Sequence, residues 1–279
     1  MTPSALSSWL ADPHRPTLVM GILNLTPDSF SDGGKFAAAD AALAHAEQMA
    51  ADGADWIDIG AESTRPGSLS VSADEQLQRL MPVLSELRKR VAVVLSIDTT
   101  QAAVAAAALE AGVNVVNDIS AGRDSPGMFP LVARHHAPII LMHMQGNPAT
   151  MQQAPHYQDV TAEVSQFHRR RISAAVSEGV EPANILLDPG IGFGKTADHN
   201  LQLLRDLPAI ATLGTPLVVG ASRKGFIEKI TGERAETGRP FGTAATVAWS
   251  AANGAAIVRV HDVRAMKQVL AMVSAIRSR

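Results

Sequence analysis

Apolar runs of strand length recur along the chain, each followed by polar residues and then by a helical pattern. The runs are Thr17 to Leu23, Trp56 to Ile59, Val93 to Ile97, Val113 to Val116, Ile139 to Met142, Ile185 to Leu187, Leu217 to Val219 and Ala256 to Val260. Helical periodicity covers Ala37 to Ala51, Ala73 to Arg90, Gln101 to Ala111, Met128 to His135, Val160 to Ser177, Ala197 to Leu213, Thr243 to Ala252 and Val263 to Arg277. Ser72, with Glu75 three residues on, predicts a capping box at the start of the second helix. Strands that read apolar on both faces belong to an all-parallel sheet covered by helices. About eight βα units is the number that closes a barrel, whereas a doubly wound open sheet does not need eight. The expected fold class is therefore α/β, a (β/α)8 TIM barrel in a single domain. Residues 1–16 form an N-terminal extension, and residues 17–279 form the barrel.

The first run ends in a different chemistry from the one it starts with. Thr17 to Leu23 is β-branched and apolar, but Thr26-Pro27-Asp28-Ser29-Phe30-Ser31-Asp32-Gly33-Gly34 is turn-forming and polar. A buried strand should end at Asn24, and the loop beyond it carries an aromatic, Phe30, that suits closure over something apolar. In a barrel the working groups project from the C-terminal ends of the strands. The eight ends here carry Asn24, Asp58 followed by Glu62-Ser63-Thr64-Arg65-Pro66-Gly67-Ser68, Asp98-Thr99, Asn117-Asp118, His143, Asp188, Ser222-Arg223-Lys224, and Arg259-Val260-His261-Asp262. Asp98 and Asp262 could serve as helix caps, but Arg65, Lys224, Arg259 and His261 could not. Asp98, Asn117 and Asp188 suit a flat, nitrogen-rich heterocycle. Arg65, Arg259, His261 and Lys224 suit an anion such as a phosphate.

Composition narrows the partners. A chain of 279 residues with 46% hydrophobic content can bury a large core, and its net charge of −3 comes with no dense basic track for nucleic acid. The basic run His168-Arg169-Arg170-Arg171 reads as a solvated helix face. Cysteine is absent, which removes disulfides, thiolate nucleophiles and Cys-type zinc sites and suits a cytoplasmic protein. Met1 to Pro16 lacks the pattern of a signal peptide, and no run is long enough to span a membrane. Gly190-Ile191-Gly192-Phe193-Gly194-Lys195-Thr196 fits neither nucleotide-binding glycine pattern, although glycines after a strand allow a ligand to approach the backbone. His143, between Met142 and Met144 and without a partner His or Cys, reads as a packed residue rather than a metal ligand.

Seven stretches together resemble the dihydropteroate synthase family of the folate pathway: Met20 to Gly34, Asp58 to Gly67, Ile97 to Thr99, Asn117 to Ile119, Leu187 to Lys195, Gly220 to Lys224 and Arg259 to Val263. The resemblance runs from Leu18 to the C-terminus. Its departures are Ala61, where a second Gly is usual, and an undistinctive stretch from Glu233 to Phe241. It implies a transferase that joins 6-hydroxymethyl-7,8-dihydropterin diphosphate to 4-aminobenzoate, releasing diphosphate and 7,8-dihydropteroate. By the same resemblance, Asp98, Asn117, Asp188 and Lys224 hold the pterin. Thr64, Arg65, Arg259 and His261 face the diphosphate, Asn24 ligates its Mg²⁺, and Phe30, Pro66, Phe193 and Ser222 frame the aminobenzoate. Chemistry centres on Asp28, Phe30, Arg65, Asp98 and Lys224. A homodimer through the late helices and a place among sulfonamide targets are also implied, while a cytoplasmic location and no nucleic-acid or membrane partner are expected from composition.

Loss of diphosphate from a methylene on an electron-rich ring leaves a ring-stabilised cation, so an SN1-like path is expected. Arg, His and Mg²⁺ would stabilise the departing anion, one such group in a dry site being worth roughly 3 to 4 kcal/mol. Asp98 and Asp188 would offset the positive ring, and no covalent nucleophile is needed. Two other readings share the pterin contacts: a methyltetrahydrofolate-corrinoid methyltransferase of the same barrel family, and a non-catalytic paralogue. The first should not need the Thr64-Arg65-Pro66 segment and the Arg259–His261 pair, and the second should have lost residues of the first or second loop, whereas this chain keeps Asp28, Phe30, Thr64 and Arg65. Placing Phe30 and Arg65 on two separate loops further predicts ordered binding, with aminobenzoate held tightly only after diphosphate.

Overall fold

A computed structural model describes residues 1–25, 34–64, 67–234 and 238–278. The described residues form a closed parallel barrel in which β1 (Leu18–Asn24), β2 (Trp56–Gly60), β3 (Val94–Asp98), β4 (Val115–Asp118), β5 (Ile139–Met142), β6 (Ile185–Asp188), β7 (Leu217–Val219) and β8 (Ala255–Val260) pair in chain order, and β8 closes on β1. The strands lie close to where the apolar runs placed them. β4 starts at Val115 rather than Val113 because Val113 N–H bonds the Ala108 carbonyl across Gly112, whose φ of +93° caps the preceding helix.

The helices are α1 (Leu6–Ala11), α2 (Gly34–Ala51), α3 (Ala73–Arg90), α4 (Ala102–Glu110), α5 (Met128–Arg134), α6 (Val160–Ser177), α7 (Ala197–Arg205), α8 (Leu207–Ala211), α9 (Gly225–Thr231), α10 (Pro240–Ala252) and α11 (Val263–Arg277). The Ser72 hydroxyl accepts from Glu75 N–H at the start of α3, which is half of the expected capping box; the Glu75 carboxylate turns to Arg79 instead of back to the Ser72 N–H. The single helix expected over Ala197 to Leu213 is two. Pro208 has no N–H for the Leu204 carbonyl, and Trp249 Nε1–H of α10 donates to that carbonyl at 2.7 Å. Helices α1 and α9 are too short to show a period.

The extension is part of the core. Leu6, Trp9 and Leu10 of α1 pack with the inward-facing Leu18, Met20, Trp56, Val94, Val115, Ile140, Leu186, Val218 and Ile257, stoppering the N-terminal end of the barrel. The basic run on α6 is only half solvated: Arg169 and Arg170 are exposed, but His168 is fully buried. Val164, His168 and Ala175 lie on one helical stripe toward the barrel, and Arg171 lies over the Phe129 ring with Nε donating to the Ala121 carbonyl at 2.7 Å.

Candidate active site

Two residues beyond the apolar plug, the same inward-facing register turns polar. Trp56 is followed by Asp58, Val94 by Ser96 and Asp98, Val115 by Asn117, Leu186 by Asp188, and Ile257 by Arg259. Asp58, wholly buried, accepts from Ser96 Oγ at 2.5 Å, Asn117 Nδ2 at 2.9 Å and Arg259 Nε at 2.6 Å. Arg259 also donates through one terminal nitrogen to Asp98 Oδ2 at 3.0 Å. Burial lifts the Asp98 carboxyl to about 7; Arg259 opposes the shift, while Asp58, Glu62 and Asp118 reinforce it. The Arg259 guanidinium is thus held between two carboxylates at the floor of the mouth.

Asp188 sits at the end of β6, where Oδ1 accepts from Gly190 N–H at 2.7 Å and Oδ2 has no partner among the described residues. Burial raises its pKa against the pull of that hydrogen bond and of Lys224, Arg259 and Lys195. The turn that follows needs its glycines. A Cβ on Gly190 would fall 1.8 Å from the His143 carbonyl oxygen, and one on Gly192 would fall 2.9 Å from Lys224 Cδ. Lys224 Nζ lies 3.9 Å from the centroid of the Phe193 ring, and burial lowers its pKa to about 8. Phe193 packs with Ile119, Met142, Met144 and Met151, an apolar wall beside the polar floor. Behind the loop, buried Lys195 donates to the Phe193 carbonyl at 2.9 Å and meets His143 Nδ1 at 3.0 Å. Desolvation takes Lys195 down to about 7. His143 stacks edge-on against Phe167 and is also pushed far down by burial, so it is a packed residue, as its lone position suggested.

On the β7–β8 side, Ser222 Oγ pairs with His261 Nδ1 at 3.0 Å and accepts from His261 N–H at 3.3 Å. Burial, then Arg223 and Arg259, lower the His261 pKa to about 3, so the imidazole is neutral. Asp262 makes no capping bond; it holds Arg223 at 2.6 Å. Asp98 is likewise no cap, since Gln101 occupies the N-cap position of α4. Arg239, in the undistinctive stretch, is buried, donates to the Arg223 carbonyl and pairs with Glu228. Asn24 ends β1 partly buried, in register with Gly60, and Thr64 lies on the chain leaving β2. Asp28, Phe30, Arg65 and Pro66 fall outside the described residues.

Residues 20–261 match the family model described as pterin binding enzyme. A dihydropteroate synthase of Synechocystis sp. is 48% identical over 98% of this chain and 95% of its own length. The chain belongs to the dihydropteroate synthase family. That of Bacillus subtilis is 43% identical over 98% of this chain and 91% of its own. The Xanthomonas albilineans dihydropteroate synthase solved with 4-aminobenzoic acid superposes with a TM-score of 0.89 at 44% identity, covering 95% of this chain and 94% of that one. The same enzyme in complex with 7,8-dihydropteroate gives 0.85 at 42% identity, covering 95% of each chain.

Asp98, Asn117, Asp188, Lys224, Arg259, His261, Ser222 and Phe193, the residues that the resemblance to dihydropteroate synthases singled out, are brought to one end of the barrel. Arg259, expected at the diphosphate, spends its Nε and one terminal nitrogen on Asp58 and Asp98. Three residues stand in the motifs without a role. Asp58 was hidden because it looks like one more strand-end acid, and its central position depends on closure of the barrel. Glu62 fixes the β2–α3 segment, accepting from Val71 N–H at 3.1 Å and Gln76 Nε2 at 2.9 Å. Lys195 follows a glycine turn in the sequence, where a lysine is ordinarily solvated, and only the structure shows that it is buried.

Proposed function

We propose that the chain condenses 6-hydroxymethyl-7,8-dihydropterin diphosphate with 4-aminobenzoate, giving 7,8-dihydropteroate and diphosphate in folate biosynthesis. The observation that carries this reading is the division of one barrel mouth into three unspent acceptors and a cationic side. Asp98 Oδ1, Asn117 Oδ1 and Asp188 Oδ2 have no hydrogen-bond partner among the described residues. They suit the ring and amino N–H groups of a pterin. Lys224 and Arg259 provide positive charge, and the neutral His261 an N–H donor, for an anion leaving the adjacent methylene. As the bond to diphosphate lengthens, the buried carboxylates offset the cation spreading into the ring. The Phe193 wall then presents the aminobenzoate amine, which forms the new C–N bond and releases a proton.

Magnesium fits as part of the substrate. Among the described residues no cluster of His, Cys, Asp or Glu could cage a metal, and Mg²⁺ prefers phosphate oxygens and water with one or two protein oxygens. The Asn24 amide oxygen supplies such a ligand and would orient the diphosphate it accompanies. A homodimer accounts for the apolar side chains left on neighbouring helices: Phe241 and Trp249 on α10 are 78% and 50% exposed, and Met272 and Ile276 on α11 are 62% and 71% exposed. Sedimentation giving a monomer mass at micromolar concentration would exclude that assembly.

The reaction is tested by following diphosphate release with pterin diphosphate present and aminobenzoate added or withheld. Release that depends on aminobenzoate is expected. A corrinoid methyltransferase or a binding-only paralogue would give none. Phe30→Ala and Arg65→Ala should impair aminobenzoate use while sparing the bare pterin. Equal aminobenzoate affinity with and without Mg²⁺ and diphosphate would defeat ordered binding.

A further inference from the structure

We propose that Asp58 is the positioning residue of the pterin subsite, orienting the Asn117 amide and the Arg259 guanidinium without meeting the ligand itself. The inference rests on the pterin reading of the mouth. Asp58 has no exposed surface, so no ligand reaches it. Its carboxylate offers only acceptors, and both oxygens are in use. Oδ1 takes the Ser96 hydroxyl, and Oδ2 takes both Asn117 Nδ2–H and Arg259 Nε–H. Asn117 is an amide with two faces of opposite chemistry. With its NH₂ drawn down to Asp58, its carbonyl oxygen is the face left for the mouth.

This decides the character of the subsite. An unanchored Asn117 could present a donor or an acceptor, and a ligand with either pattern would be accommodated. Anchored on Asp58, it adds a third acceptor to those of Asp98 and Asp188 and selects a ring that presents N–H groups. The same carboxylate oxygen fixes Arg259, whose far nitrogen then pairs with Asp98. One buried acid on β2 thereby sets side chains on β4 and β8 and, through Arg259, one on β3. Strand closure alone would bring these four strands together without fixing the rotation of an amide.

Asp58→Asn and Asp58→Ala separate orientation from charge. In Asp58→Asn the new amide oxygen can still accept from Asn117 and Arg259 while its NH₂ faces Ser96, so orientation survives and the charge is lost. In Asp58→Ala both go. Isothermal titration with the pterin diphosphate, and with an analogue lacking the exocyclic amine, should show Asp58→Ala binding the pterin about tenfold more weakly or worse and discriminating less between the two. Asp58→Asn should keep the discrimination but move the acid limb of pterin binding to lower pH. Asp98 then loses one like-charged neighbour, while Arg259 of β8, Lys224 beyond β7, Glu62 beyond β2 and Asp118 of β4 remain around it.

A folded Asp58→Ala variant with pterin affinity and discrimination within about twofold of the parent would overturn the proposal. Should that variant fail to fold, loss of the discrimination in folded Asp58→Asn would overturn it equally, because the acceptor that is kept would then not be what orients Asn117. Failure of the parent protein itself to bind the pterin diphosphate would instead remove the reading of the site on which the proposal stands.

Discussion

The two ends of this barrel are built from the same strands and could hardly differ more. At the N-terminal end the inward positions are Leu18, Met20, Trp56, Val94, Val115, Ile140, Leu186, Val218 and Ile257, closed by Trp9 of α1 edge-on to Trp56 at 6.1 Å. One pleat repeat further on, the inward positions carry Asp58, Ser96, Asn117, Asp188 and Arg259, all buried or largely so. The first set gains stability by leaving water. The second is tolerated because its charges answer one another: an isolated buried charge costs several kcal/mol, but each carboxylate here faces a cation or an N–H. The apolar end secures the fold, and the polar end stores unspent acceptors for a ligand.

The comparison breaks if the ends are not separable. The largest effect is expected at the plug, where Trp56→Ala should lower stability by about 3 to 5 kcal/mol, read from the urea midpoint. Pterin affinity of the folded fraction should stay near its original value, and a large loss would mean that the plug also shapes the site. Asp188→Asn should do the reverse. The melting temperature holds, while pterin binding weakens by about 1 to 3 kcal/mol because a donor replaces an acceptor in a buried site. Unchanged calorimetric binding would remove Asp188 from the subsite.

Lys195 sharpens the boundary between the two regimes. Burial holds its folded pKa at about 7 against an ordinary lysine value of 10.5, so between those values the unfolded chain binds the extra proton and stability rises with pH. Lys195→Met should remove a rise of about 1 kcal/mol per pH unit over that window. Parallel stability-versus-pH curves for parent and variant from pH 7 to 10 would show that the lysine is not buried as described. The smallest effect belongs to His261, neutral in the ligand-free protein with a pKa near 3. A diphosphate beside it favours the protonated ring, so binding should take up a fraction of a proton near neutral pH and weaken as pH rises. Calorimetry in two buffers of different ionisation enthalpy would detect that uptake, and identical heats would exclude it.

The barrel was legible in the sequence because its signal is local: each apolar run and each helical stripe lies within a few consecutive residues. β6 and β7 could be placed from Ile185 to Leu187 and Leu217 to Val219 alone. The strand-end residues were legible for a related reason, since a barrel of known polarity tells which end of each run faces the mouth. Short helices without a period were not, and neither was the burial of His168 within a run of arginines.

Which strands form, which end of each carries chemistry, and which residue types gather there follow from periodicity and connection, and are set along the chain. What those residues do to one another is set by the closed fold. Asp58 and Arg259 are 201 positions apart in the chain, and no local pattern can show that one's carboxylate holds the other's guanidinium. The same holds for the Trp249 indole on the Leu204 carbonyl and for the Ser222–His261 pair. Hydrogen bonds act over about 3 Å, and only closure of the barrel brings such distant residues within that reach.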